Sequence, residues 1–205
     1  MIFETVNEIN EAIKAINYAS YLIRLCALNS QIAISSISFH SQKSAGFTPI
    51  SKELIHISSL IETKANDLFQ IMFKSLRTIT ESQKIARNQS LQKKFFQDYN
   101  KRSDRNYDLT HLENKILSDY NNKRDKLKED FQIQFQSFQK IIRETIKLCK
   151  NTRPIVFSVK IESVYIEGNE GAFDELSKEL SDFISKIEDL LKRIENLNQR
   201  LLEGN

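Results

Sequence analysis

Nine large apolar residues near the C-terminus of this chain recur with alternating spacings of three and four: Phe173, Leu176, Leu180, Phe183, Ile187, Leu190, Ile194, Leu197 and Leu201. This is an unbroken a/d heptad stripe, the pattern of a coiled-coil seam. Lys, Glu, Asp, Asn and Ser fill most of the positions between. A lone helix leaves such a stripe in water, at roughly 1.5–3 kcal/mol for each large side chain left unburied. The segment must therefore pack on other helices. Four glycines and two prolines in 205 residues are too few for a sheet protein with many tight turns. The hydrophobic share of 40% beside 28% charged residues suits amphipathic helices and not a disordered chain.

The stripe has an earlier copy. Phe47, Ile50, Leu54, Ile57 and Ile61 lie 126 positions before Phe173, Leu176, Leu180, Phe183 and Ile187. Ser-Lys-Glu-Leu is identical at 51–54 and 177–180, as are Ser59/Ser185, Ile61/Ile187 and Glu62/Glu188. A shared tetrapeptide on a shared stripe indicates an internal repeat. Four helices follow from the punctuation. Helix 1 is expected over about 3–39, with Val6, Ile9, Ile13 and Ile16 on one face. After a turn at 40–48, helix 2 opens at Thr48-Pro49, an N-cap residue followed by proline at the first helical position, and runs to about Asn100. A polar turn at 101–109 precedes helix 3, which starts at the capping box Thr110-His111-Leu112-Glu113 and ends near Ile166. Gly168 and Gly171 mark the second turn, and helix 4 ends near Leu202.

The fold class read from these elements is all-α: an antiparallel four-helix coiled-coil bundle of two tandem helical hairpins. It is taken as one domain over 1–205, with hairpin repeats at 1–105 and 106–205. Helices 2 and 3 are longer than helices 1 and 4, so a two-helix extension is expected beyond the bundle. Pro154 inside helix 3 lacks an amide donor, and a kink or short break is expected near 151–154.

The residues around the two turns resemble the signalling hairpin of methyl-accepting chemotaxis proteins, whose pattern is close to L-A-L-N-A-x-I-E-A-A-R-A-G-E-x-G-R-G-F-A-V-V-A-x-E-V. The first copy reads Cys26-Ala27-Leu28-Asn29-Ser30-Gln31-Ile32-Ala33 and resumes at Gly46-Phe47, three residues longer in its turn than the family. The second reads Ser158-Val159-Lys160-Ile161-Glu162-Ser163-Val164-Tyr165-Ile166-Glu167-Gly168-Asn169-Glu170-Gly171-Ala172-Phe173, without a gap. The family glutamate is Ala33 in one copy and Glu162 in the other, the arginine is Ser36 and Tyr165, and the asparagine is Asn29 and Ser158. The resemblance covers about 35 residues around each turn. It implies a pseudo-dimer fused in one chain, whose tips bind protein partners. In that family these are a chemotaxis histidine kinase and a coupling adaptor, with self-association at the tips as well. Carried over by position, the contact candidates are Leu28, Asn29, Ile32 and Phe47 in the first copy and Phe157, Ile161, Glu162 and Phe173 in the second. Plain core packing is the competing reading for each apolar one. The two tips are expected at one end, as one composite surface.

No enzyme chemistry is expected. There is no Gly-rich phosphate loop, and His40, His56 and His111 are scattered without metal-ligand spacing, so neither cofactor nor metal is implied. Acidic neighbours such as Glu129-Asp130 read as a solvated helix face, and methylatable glutamate pairs are not evident. Cys26 and Cys149 fit either a disulfide or reduced thiols packed as small apolar groups; the second is the expectation. MIFETVNEINEA has no basic region before an apolar run, and no stretch approaches a membrane span, so a cytoplasmic location without a membrane span is expected.

One charge feature remains. Residues 84–128 hold twelve Lys and Arg against six Asp and Glu, within a chain of net charge +3, and Phe95, Phe96, Tyr99 and Tyr107 interleave with them. A nucleic-acid or anionic-membrane surface needs such a patch. The acids mixed through it also fit a solvated hairpin end, which is the reading preferred from sequence. A structural coiled coil with no signalling role is the other alternative.

Overall fold

The computed structural model describes residues 2–38, 46–102, 109–164 and 170–203. These form four helices, α1 Ile2–Ser38, α2 Phe47–Arg102, α3 Thr110–Ser163 and α4 Glu170–Glu203, and no strand occurs among the described residues. The protein is an all-α four-helix bundle. α2 begins at Phe47, so Thr48 and Pro49 lie in its first turn, where the missing proline N–H has no helical partner to lose. Glu113 N–H donates to the Leu109 carbonyl at 2.9 Å, which closes the first turn of α3. α3 runs through Pro154 without the break considered from sequence. Lys150 and Pro154 are both exposed, so the carbonyl that proline leaves without a donor faces water. The Ser158 hydroxyl donates to the Pro154 carbonyl at 3.1 Å in the next turn.

The sequence reading treats the chain as one domain; its contacts cluster into two compact units, residues 1–70 with 138–205, and residues 71–137. The first unit holds the four-helix core. Polar bridges join α1 to α2 (Ser20 Oγ to the Ser58 carbonyl, 2.6 Å), α2 to α3 (Lys64 to Glu144, 2.6 Å), α3 to α4 (Arg153 to Glu188, 3.0 Å) and α4 to α1 (Arg193 to Glu8, 3.0 Å). This closed ring of neighbours leaves α1 diagonal to α3 and α2 diagonal to α4.

The duplication is written into the burial. Ile9, Ile13, Ile16, Ser20, Ile23, Ala27 and Ser30 of α1 are buried, and so are the residues 129 positions on: Phe138, Ile142, Thr145, Cys149, Thr152, Val156 and Val159. On α2 the buried series 47, 51, 54, 58, 61, 65 and 68 recurs 126 positions on at 173, 177, 180, 184, 187, 191 and 194 of α4. The two offsets differ by the three extra residues in the first turn. Small buried hydroxyls return their protons to their own helix: Thr145 to the Ile141 carbonyl (2.7 Å), Thr152 to Leu148 (2.8 Å) and Ser177 to Asp174 (2.8 Å). They fill core positions without an unpaired donor.

One column of the α4 stripe differs from the sequence reading. Phe173, Leu180, Ile187, Ile194, Leu197 and Leu201 are buried as expected, but Leu176, Phe183 and Leu190 are half-buried. Ser177, Ile184 and Leu191 are buried in their place, and Asn198 is buried beside Leu197. A helix in a four-helix bundle touches two neighbours and buries a wider face than a two-stranded seam does, and the added positions lie one residue further round.

The second unit is the antiparallel pair formed by 71–102 of α2 and 110–137 of α3. Its seam is partly polar: Thr78 and Gln134 are hydrogen-bonded at 3.2 Å, and the Gln89 amide donates to Asn121 Oδ1 at 2.9 Å. Phe96 is buried there, edge-on to Phe95 with ring centroids 5.5 Å apart.

Candidate interaction surface at the paired turns

The chain leaves α1 and α3 at the two turns and enters α2 and α4. Residues 39–45 and 165–169, among them His40 and, from the resemblance, Tyr165 and Gly168, lie outside the described set. Flanking residues join the turns at one end of the bundle. Phe47 and Phe173, each the first large residue of its helix, stack across the core with ring centroids 4.6 Å apart and planes tilted by 47°. Both are buried. The burial follows from register, since each opens the buried series of its helix. Of the three phenylalanines among the candidates, Phe47 and Phe173 therefore join the starts of α2 and α4 and are not presented to a partner.

Glu162 plays a related part. It is half-buried, and a Cβ added at Gly46 would collide with its carboxyl group. The carboxyl thus lies over the residue that precedes α2, where a helix N-terminus favours negative charge. The absence of a side chain at Gly46 makes the room. In the first copy the matched residue is Ala33.

The remaining apolar candidates point outward. Leu28 is 41% exposed, Ile32 67%, Phe157 62% and Ile161 45%, and Asn29 is exposed beside them. Leu28 and Ile32 share one face of α1, four residues apart, and Phe157 and Ile161 share one face of α3. In the 129-residue register Leu28 matches Phe157 and Ile32 matches Ile161. Each copy thus exposes an apolar pair at the same place. Because α1 and α3 are diagonal, these pairs face opposite sides of the bundle. The turns share one end, but the exposed apolar residues form two equivalent patches instead of the one composite surface expected. Val164, 70% exposed, extends the α3 patch, and Tyr18 and Tyr21 continue the α1 stripe away from the turn. Sequence reasoning missed these three. The signal was present for α1, since residues 15–38 carry a single charge, Arg24, and so leave no polar face on that helix.

A second repeated feature was also missed. Arg24 pairs with Glu62, and Arg153 with Glu188. Arg153 is 129 positions after Arg24, and Glu188 is 126 after Glu62, so each copy ties its first helix to its second with the same ion pair. The environments differ: the Glu188 side chain is 9% exposed, that of Glu62 45%.

The thiols are unreactive. Cys26 and Cys149 are free. Burial pushes the Cys149 thiol up to about 12, with Glu188 adding to the shift. Burial, then the charge and hydrogen bond of Glu179, pushes Cys26 up to about 11. Both are protonated, and so weak nucleophiles, at neutral pH. Among the described residues no cluster of His, Cys, Asp and Glu is placed to hold a metal ion, and no helix is long and apolar enough to cross a membrane. No family model, curated protein or solved structure matches this chain.

Proposed function

We propose that this chain is a non-enzymatic signalling or scaffolding module of the chemoreceptor type, which binds protein partners at the turn end of its bundle, as in chemotaxis signal transduction. The observation that carries this reading is the matched exposure of Leu28 with Phe157 and of Ile32 with Ile161. A coiled coil with only a structural role has no need of large apolar side chains in water at the same place in both copies. Bundle formation does not use them, and such exposed clusters mark interaction sites. The motif around the two turns supplies the partner class: a chemotaxis histidine kinase and its coupling adaptor. Two equivalent patches on opposite sides suit a scaffold that engages two partners at once, and turn-to-turn association of copies uses the same residues.

The test compares the intact chain with Ile32→Asp, Ile161→Asp and the double variant, first by affinity capture from the native cell and then by titration of the captured protein. Each single change is expected to weaken binding by more than about 1 kcal/mol, the usual cost at an interface hot spot. Helicity and melting temperature should stay close to those of the intact chain, because both residues are exposed. Capture of the same proteins with the same affinity by the double variant would sink the reading.

A further inference from the structure

The basic end of the second unit has a property that a solvated hairpin end does not need. Leu91 is 57% exposed, Phe95 58% and Leu112 47%, among the lysines of residues 84–128. Helical phase, taken from the seam residues Gln89 and Phe96 on α2 and from Ile116, Tyr120 and Leu127 on α3, puts all three on the same side of the hairpin. The Gln89–Asn121 bond sets the levels, so that Leu112 falls about one turn beyond Phe95 and Phe95 one turn beyond Leu91. Exposed Lys84, Lys115, Lys123 and Lys126 flank this short apolar ridge, against Asp98 and Asp119 on the same side. Lysines on long stems around a shallow apolar strip match a bilayer surface, where headgroup phosphates take the charge and the upper acyl chains take the apolar tips.

We infer that this side of the helical pair formed by 84–98 of α2 and 112–126 of α3 is a docking surface for an anionic lipid bilayer. The composition of the ridge separates this from nucleic acid. Two of its three apolar residues are leucines, which have no π face for a base to stack on, while hydrocarbon accepts them fully. The second aromatic that the sequence offered for stacking, Phe96, is buried, and Tyr99 is half-buried with its ring stacked 6.3 Å from that of Phe95. Lysine outnumbers arginine along the exposed faces, which suits diffuse headgroup charge better than bidentate recognition. The inference does not depend on the partner-binding reading of the turns.

The experiment is co-sedimentation of the full chain with vesicles of phosphatidylcholine alone and of phosphatidylcholine with about 30 mol % phosphatidylglycerol, beside titration with duplex and single-stranded DNA. Binding to the anionic vesicles is expected to be at least about tenfold stronger than to neutral ones, and to fall steeply between about 50 mM and about 500 mM salt. Leu91→Ser with Leu112→Ser, which leaves the Phe95–Phe96 contact and every charge in place, should weaken vesicle binding several-fold with no loss of helicity. Lys115→Glu with Lys123→Glu should weaken it further, and Ile32→Asp should leave it unchanged. Absence of binding to anionic vesicles overturns the inference. So does tighter binding to DNA than to vesicles, or vesicle binding that Leu91→Ser with Leu112→Ser does not alter, since charge alone then accounts for it.

Discussion

At the scale of single residues, duplication and divergence meet in the two ion pairs. Arg24–Glu62 and Arg153–Glu188 occupy matched positions, yet only Glu188 is withdrawn from water. Removing the cation from an exposed pair costs little, whereas a buried carboxylate left alone loses its compensation. Arg153→Met is therefore expected to lower the unfolding free energy by about 1–3 kcal/mol, and Arg24→Met by less than about 1 kcal/mol. Urea denaturation of the two variants checks this, and equal losses would show that burial does not set the difference. These arginines were legible in principle, but the register that aligns them is three residues longer than the one read from Ser-Lys-Glu-Leu. The same holds for the outward residues. On α4 alternating charge marks which face is wet; on α1, with one charge between 15 and 38, sequence has nothing by which to tell Ile32, which is exposed, from Ile34, which is buried.

At the scale of elements, helix number, type and order were all legible. Long heptad patterns and sparse Gly and Pro leave few alternatives. What the pattern did not give was the breadth of each buried face. Coiled-coil spacing alone selects Leu190; packing between two neighbours selects Leu191, which is fully buried while Leu190 is half-buried. Leu191→Ala is expected to cost about 2–5 kcal/mol, and Leu190→Ala clearly less, because part of its side chain is already in water. Thermal melts of the pair measure the contrast; a larger loss at Leu190 would mean that the a/d seam, and not the wider face, carries the packing. Candidate sites divided along the same line. Phe47 and Phe173 head buried series, while Leu28, Ile32, Phe157 and Ile161 stand outside every buried series.

At the scale of the whole molecule, α2 and α3 each pass through two compact units with different interiors. Within the first unit α2 buries Phe47, Leu54, Ile61 and Leu68, while in the second its seam includes Thr78 and Gln89. Fewer buried apolar contacts mean cheaper local opening. Amide hydrogen exchange is expected to be faster over 75–95 than over 50–68, within one continuous helix. Uniform protection along α2 would mean that the two units open together.

Matched positions on the diagonal helices have another consequence. The buried series pairs Ala65 with Leu191 and Ser58 with Ile184, a small residue in one copy of the repeat and a large one in the other. Two identical chains related by a symmetry axis must carry the same side chain at both places, and a bulky pair there would crowd while a small pair would leave a hole. A single chain that contains both halves is released from that rule. It fills these two layers with unequal volumes, and dilution has no hold on an association whose two members are covalently one.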